Sequence, residues 1–369
     1  MWHRILALVV KEFLTLFKDK QSRFVTIVPP LIQLVVFGYA ASFDLNHVPY
    51  AVYDRDQGQA GRALMATFSG SPNFQLRHIV QRQDEIADLL DNREVLLVLQ
   101  LEPRFSEKLA AGEPAQVQVL VDGRNSNTAQ IAVNYAGTVI GSFNEQWIAQ
   151  HGLDAPPAHL VSRAWFNPNL ESRWFFIPGL VGLLTLVVTM VVTSLSVARE
   201  REQGTFDQLL VTPLRPFEIL IGKATPGFVV GLAEGSLVIL LAQVWFGVPL
   251  VGELSVLYLG LVLFLLAAIG IGLAISSLAV TLQQALLGGF LFLVPAVILS
   301  GFATPIANMP WAVQMLTLLD PLRYFLVVLR GVFLEGTPLS ILVHQLWPLA
   351  LIAGCTLSAA AWLFRHRLY

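Results

Sequence analysis

Long uncharged apolar runs alternate with short charged connectors along most of the chain, and one long polar stretch interrupts them near the start. The first run covers residues 24–43, where Pro29-Pro30 predicts a kink; the others cover 174–198, 224–246, 254–278, 284–302 and 343–364. Each is close to the ~20 residues an α-helix needs to cross a bilayer's hydrocarbon layer. Six transmembrane helices are therefore predicted. Between Ala224 and Leu319 the only charges are Glu234 and Glu253, so three of the runs follow one another with very short connections. Few soluble folds would tolerate that spacing.

Residues 1–23 have a different pattern. Arg4 ahead of the apolar Ile5–Val10 has the look of a signal peptide, but the run is short, Lys11 and Glu12 interrupt it, and no small-residue cleavage site follows. Trp2, Leu6, Val9, Phe13 and Leu16 fall on one helical face, with Arg4, Lys11 and Lys18 opposite. That pattern predicts an amphipathic helix lying in the membrane interface, with an ordinary cytoplasmic helix as the alternative. The polar stretch at 44–173 alternates β-like runs at 49–53, 74–80, 95–101 and 117–121 with helical ones at 58–68, 84–90, 104–111 and 127–150. An α/β domain with one sheet follows from that alternation.

Composition agrees with a chain that lives in lipid: 55% hydrophobic, 13% charged, mean hydropathy +0.64. The net charge of −2 gives no sign of a nucleic-acid partner, and the single Cys355 excludes an intrachain disulfide. Orientation follows from basic residues at the span ends. Arg4, Lys11, Lys18, Lys20 and Arg23 precede the first run, Arg199, Arg201, Arg215 and Lys223 separate the second and third, and Arg365 and Arg367 follow the sixth. All three clusters fall on one side of a six-span topology, which places both termini in the cytoplasm and residues 44–173 outside it. That insert carries 15 acidic and 10 basic residues. Its His78, His151 and His159 are isolated, and it has neither metal-ligand spacing nor a nucleophile elbow, so no metal site and no catalytic residue is predicted.

The connector between the second and third runs holds the densest pattern. Gly204 can stop a helix leaving the membrane, and Thr205 with Gln208 has the spacing of a capping box that starts a new one. The predicted product is a short helix over about 205–212, with Phe206, Leu209 and Leu210 as its apolar face and Thr212-Pro213 as its end. Its apolar face is suited to a groove on a cytoplasmic partner, with Glu200 and Glu202 meeting basic groups there. A solvated charged loop is the plainer alternative.

The block Glu200-Arg201-Glu202-Gln203-Gly204-Thr205, the run from Gln208 to Leu214, Pro216-Phe217-Glu218 and Gly222-Lys223 resemble the type 2 ATP-binding-cassette (ABC) export permeases. So do Leu299-Ser300-Gly301-Phe302, Thr304-Pro305-Ile306, Asn308-Met309-Pro310, Asp320-Pro321, Arg323-Tyr324-Phe325 and Arg330-Gly331. The likeness covers nearly the whole chain. It implies a permease subunit of a bacterial multidrug or small-molecule exporter in the inner membrane, paired with a second permease as a homo- or heterodimer. It further implies a separate ABC ATPase subunit, docked through 205–212 and holding ATP and magnesium, with no cofactor on this chain. The sequence agrees: the phosphate-cradling G-x-x-x-x-G-K-[ST] loop is absent, since Gly222-Lys223 is followed by Ala224 and Phe217 stands where the first glycine belongs. By the same resemblance, about 303–335 forms short re-entrant helices that close an outer gate around Pro305, Pro310, Asp320, Arg323 and Arg330. A periplasmic membrane-fusion or adaptor protein and membrane lipid complete the expected partners.

Gly227, Gly231 and Gly235 recur every four residues in the third run and let a neighbouring helix approach closely. Glu234 lies beside that ridge, and an acid within a span is a functional candidate. Two roles are open to it: lining a pathway for a cationic substrate, or acting as a structural partner near the interface. Asp320 and Arg323 are spaced for a local ion pair. Two other function classes fit parts of the pattern, a receptor or mechanotransmitter that works an ATPase without transport, and an ion-coupled secondary transporter using Glu234. The capped loop helix favours an ATPase partner.

Overall fold

A computed structural model describes residues 2–366 except 19, 41–44, 46, 153–165, 168–170 and 207–213. The chain divides into two compact units, Phe43–Arg163 and a second built from Met1–Ser42 with Ala164–Tyr369. The second unit opens with helices α1 (Trp2–Lys18) and α2 (Lys20–Ala40).

In the inserted unit, β1 (Val48–Asp54), α3 (Gln59–Gly70), β2 (Phe74–Ile79), α4 (Asp84–Asp91), β3 (Leu97–Leu101), α5 (Phe105–Ala110), β4 (Val117–Val121) and α6 (Ser126–His151) follow in turn. The sheet order is β2-β1-β3-β4, with β1 parallel to both neighbours and β4 antiparallel to β3. Alternate side chains serve two cores. Tyr50, Val52, Leu97 and Leu99 pack with Leu64 and Phe68 of α3 and Ala132, Ala136 and Phe143 of α6. Ala51 and Val98 face the other way, onto Ile86 of α4. Helices on both faces explain why β1 and β3 are almost continuously apolar.

The membrane unit continues with α7 (Ser172–Glu202), α8 (Pro216–Val244), α9 (Leu254–Leu278), α10 (Leu282–Leu299), α11 (Trp311–Leu316), α12 (Pro321–Arg330) and α13 (Leu339–His366). Among the described residues, five helices are long and apolar enough to cross a membrane: α7, α8 from Phe217, α9, α10 and α13. The predicted first span is not among them. The apolar part of α2 among the described residues is Val28–Tyr39, and 41–43 lie outside them. The proline-punctuated segment supplies a further candidate, since Trp311–Leu319 and Pro321–Glu335 pass as a pair but meet at 84°.

Helices α7 and α9 form the interior of this unit, and Phe264 of α9 stacks on Phe325 of α12 at 4.5 Å. Against α8, α7 presents Thr185, Thr189 and Thr193 to Gly235, Gly231 and Gly227 in antiparallel order. A Cβ on Gly231 or Gly227 would collide with the threonine facing it, so the glycines set the separation of the two helices.

Candidate functional site

Helix α7 stops in a Schellman turn. Thr205 N–H donates to the Glu200 carbonyl at 2.9 Å and Gly204 N–H to the Arg201 carbonyl at 3.1 Å. Gly204 takes a φ of +68°, a left-handed conformation that glycine adopts without the Cβ penalty. The Thr205 hydroxyl turns back to the Glu200 carbonyl at 3.4 Å. Gln208, its expected capping partner, lies outside the described residues, as do Leu209, Leu210 and Pro213. Phe206 departs from the expectation of a partner-facing residue. It is buried with Leu8, Val197, Ile219 and Phe364, and meets the Phe364 ring edge-on at 6.1 Å.

Three consecutive side chains at this end grip three different places. Glu200 turns inward and is 6% exposed. Arg201 donates to the carbonyls of Ser277 at 2.9 Å and Ala279 at 3.3 Å, where α9 ends, and its guanidinium lies 5.0 Å over the Phe206 ring. Glu202 accepts the Leu282 N–H at 2.6 Å, at the start of α10. These groups satisfy orphaned carbonyls at one helix end and an orphaned N–H at the next. Across the loop, Glu218 accepts the Arg215 N–H at 2.8 Å. An arginine side chain has no acceptor to return, so half a capping box opens α8.

The sequence suggested that Glu200 would offer its charge to a partner; in the fold that charge is met within the chain. Lys223 Nζ, 1% exposed, lies 2.7 Å from Glu200 Oε2 and 3.3 Å from Glu12 Oε1. Lys11 contacts Glu200 and is 3.4 Å from Glu12. Two lysines and two glutamates thus close a square in which each cation touches both anions. The Ser196 carbonyl accepts from Lys223 at 3.3 Å and its hydroxyl lies 3.4 Å from Glu12 Oε2. Burial works against the Lys11 charge, but the Glu200 hydrogen bond and the charges of Glu200 and Glu12 outweigh it and raise the pKa.

Glu12 and Lys223 escaped the sequence reading, which took Glu12 as an interruption and Lys223 as a topological charge. The signal was present in the spacing: Ile5, Leu8, Glu12 and Leu16 form the stripe of α1 that is buried, while Trp2 at 77% and Leu6 at 60% exposure point away. The face predicted to be apolar is thus split: Trp2 and Leu6 point outward, Val9 and Phe13 are half-buried, and Leu16 is buried. Docking decides this, because Leu8 fills the space that a Cβ on Gly222 would need.

Within the apolar layer, both carboxylate oxygens of Glu234 are enclosed and have no hydrogen-bond partner among the described residues; the same holds for the Thr185 and Thr189 hydroxyls. Pro305 and Pro310 precede the short helical turns Ile306–Asn308 and Trp311–Leu316. Asp320 and Arg323 do not pair as their spacing suggested. Asp320 caps α12 by accepting the Leu322 N–H at 2.9 Å, and Arg323 turns back to the Thr317 hydroxyl. Arg330 stacks over Phe175, 4.0 Å from the ring centre.

A set of apolar helices whose connector residues clamp one another at one end is the layout of a polytopic permease. The chain belongs to the ABC-2 family of transporter proteins, which it matches over residues 20–362. Among similar proteins, the probable multidrug ABC transporter permease YbhR of Escherichia coli K12 is 39% identical over 100% of both chains. The probable multidrug ABC transporter permease YbhS of the same strain is 32% identical over 95% of this chain and 93% of its own. The inner membrane transport permease YhhJ is 29% identical over 98% and 96% respectively. This is a multi-pass membrane permease, and the expectation of an ABC ATPase partner and a dimeric arrangement follows from the family.

Proposed function

We propose that the chain is the membrane subunit of an ATP-driven exporter and moves drug-like or other small molecules outward from the cytoplasm or inner leaflet. ATP and magnesium sit on a separate ATPase subunit, and a second permease completes the pathway. Both termini and the Glu200–Pro213 connector face the cytoplasm, α2 supplies the first crossing, and the inserted α/β unit lies outside, where a periplasmic adaptor can reach it. The segment around Pro305, Pro310, Asp320, Arg323 and Arg330 serves as the outer gate.

The observation that carries this reading is the grip of Glu200, Arg201 and Glu202 on three separate places. An ATPase that displaces the connector displaces the ends of α7, α8, α9 and α10 with it, and inward access closes as the bundle rocks. The connector at about 205–212 supplies the contact surface, with Phe206 turned inward, while Glu200, Arg201 and Glu202 transmit. The test is reconstitution with the ATPase in inverted vesicles and measurement of ethidium accumulation per ATP hydrolysed. Arg201→Ala is expected to lower that ratio about tenfold, equivalent to ~1.4 kcal/mol, with ATP still consumed. An unchanged ratio removes the transmitting role, and ATP hydrolysis indifferent to the presence of the permease removes the ATPase partnership.

A further inference from the structure

We propose that α1 is a moving part of the transmission, with Glu12 and Lys223 as the positioning residues that tie it to the connector. The inference rests on the ATPase-coupled reading above and adds an element and two residues to it.

A helix that only rests on a membrane needs no charge on its inward face. Yet α1 buries Glu12 at 9% exposure, against a lysine at 1%. Withdrawing such ions from water costs several kcal/mol each, and an apolar pair of similar size is often as stable or more so. Stability is therefore a weak reason for the square. Its connectivity offers a better one: Glu12 belongs to α1, Glu200 to the last turns of α7 and Lys223 to the first turns of α8. Lys223 stands between carboxylates from two elements, and Lys11 repeats the bridge from the other side. If Glu200 moves with the connector, either both lysines follow or a buried charge loses its partner, which is strongly unfavourable. Steric contact runs in parallel. Leu8 sits against Gly222 and shares one apolar cluster with Phe206 and Ile219, residues on either side of the connector.

The decisive variant is Lys11→Met with Glu12→Leu, which removes one cation and one anion together, both from α1, and leaves the Glu200–Lys223 pair that joins α7 to α8. The permease is reconstituted in nanodiscs with its ATPase, and hydrogen exchange is followed at residues 2–18 and 199–206 with and without ATP plus vanadate. In the wild type, nucleotide is expected to change exchange in both segments. In the double variant, hydrolysis should stay within about twofold, since an apolar replacement is near neutral for stability; 199–206 should still respond and 2–18 should not. A silent 2–18 segment in the wild type, or an equal response in both proteins, overturns the proposal.

Should the double variant fail to assemble, Leu8→Cys with Gly222→Cys decides. A Cβ on Gly222 falls 3.1 Å from Leu8 Cβ, a few tenths of an ångström inside the ~3.5–4.5 Å of a disulfide, so a small parting of the helices admits the bond. Oxidation should leave hydrolysis and the 199–206 response unchanged if α1 and α8 move as one body; loss of either overturns the inference. Failure of the wild-type permease to alter its ATPase at all would instead remove the underlying reading.

Discussion

At the scale of single residues, the two units use charge in opposite ways. In the membrane unit, Glu12, Glu200 and Lys223 are withdrawn from water and satisfied by one another. In the inserted unit, Asp122 and Arg124 pair at the surface: Arg124 Nε lies 2.8 Å from Oδ1 and Nη2 2.7 Å from Oδ2, while Nη2 also reaches the Leu90 carbonyl at the end of α4. The Arg124 side chain and its backbone N–H hold the Asp122 pKa down to about 2. The native pKa is below the ordinary ~3.9, so the pair contributes stability that is complete above that value and is lost as pH falls through about 2. Hydrogen exchange at Leu120 and Val121 should accordingly be faster in Asp122→Asn than in the wild type at about pH 5, and the difference should fade as pH falls through about 2. A difference independent of pH would mean that Asp122 acts through shape rather than charge.

At the scale of elements, the contact between α7 and α8 yields a graded expectation. A Cβ on Gly231 would collide with the Thr189 hydroxyl and lie 2.5 Å from Leu265 Cδ2, whereas one on Gly235 would meet Leu261 at 3.1 Å and Thr185 at 3.2 Å. Overpacking of this kind costs ~1–3 kcal/mol. Gly231→Ala is therefore expected to lower the melting temperature of the purified permease more than Gly235→Ala. The reverse order would show that the two helices can part at Gly231 without penalty. The four-residue repeat of glycines was plain in the sequence, but the threonines opposite were not, because Thr185, Thr189 and Thr193 stand in an otherwise unremarked apolar run. For α1 the limit was different: with apolar residues on more than one face, periodicity could not say which face docks. Leu8 against Gly222 settles that, and Glu12 goes inward with it.

At the scale of the whole molecule, residues 43–163 hold two apolar cores of their own, one on each face of the sheet. The excised segment is expected to fold alone and to unfold cooperatively, as judged by circular dichroism and chemical denaturation. Tyr50→Ala, at a fully buried position, should cost ~3–5 kcal/mol by analogy with other large aromatic truncations. An excised segment without a cooperative transition would show that this unit needs the rest of the chain.

The sequence by itself determined the apolar helices from α7 onward, the α/β character of the insert and the helix stop at Gly204. These depend on local properties: hydrophobic run length, strand and helix periodicity, and the freedom of glycine at positive φ. Tertiary structure decided what the charged connector residues touch. Glu200 turns to Lys223 and Lys11, Arg201 to the end of α9, Glu202 to the start of α10, and Asp320 and Arg323 to partners other than each other. Each choice joins or excludes groups by their positions in space, and a buried charge takes whatever opposite charge the packed helices bring within reach.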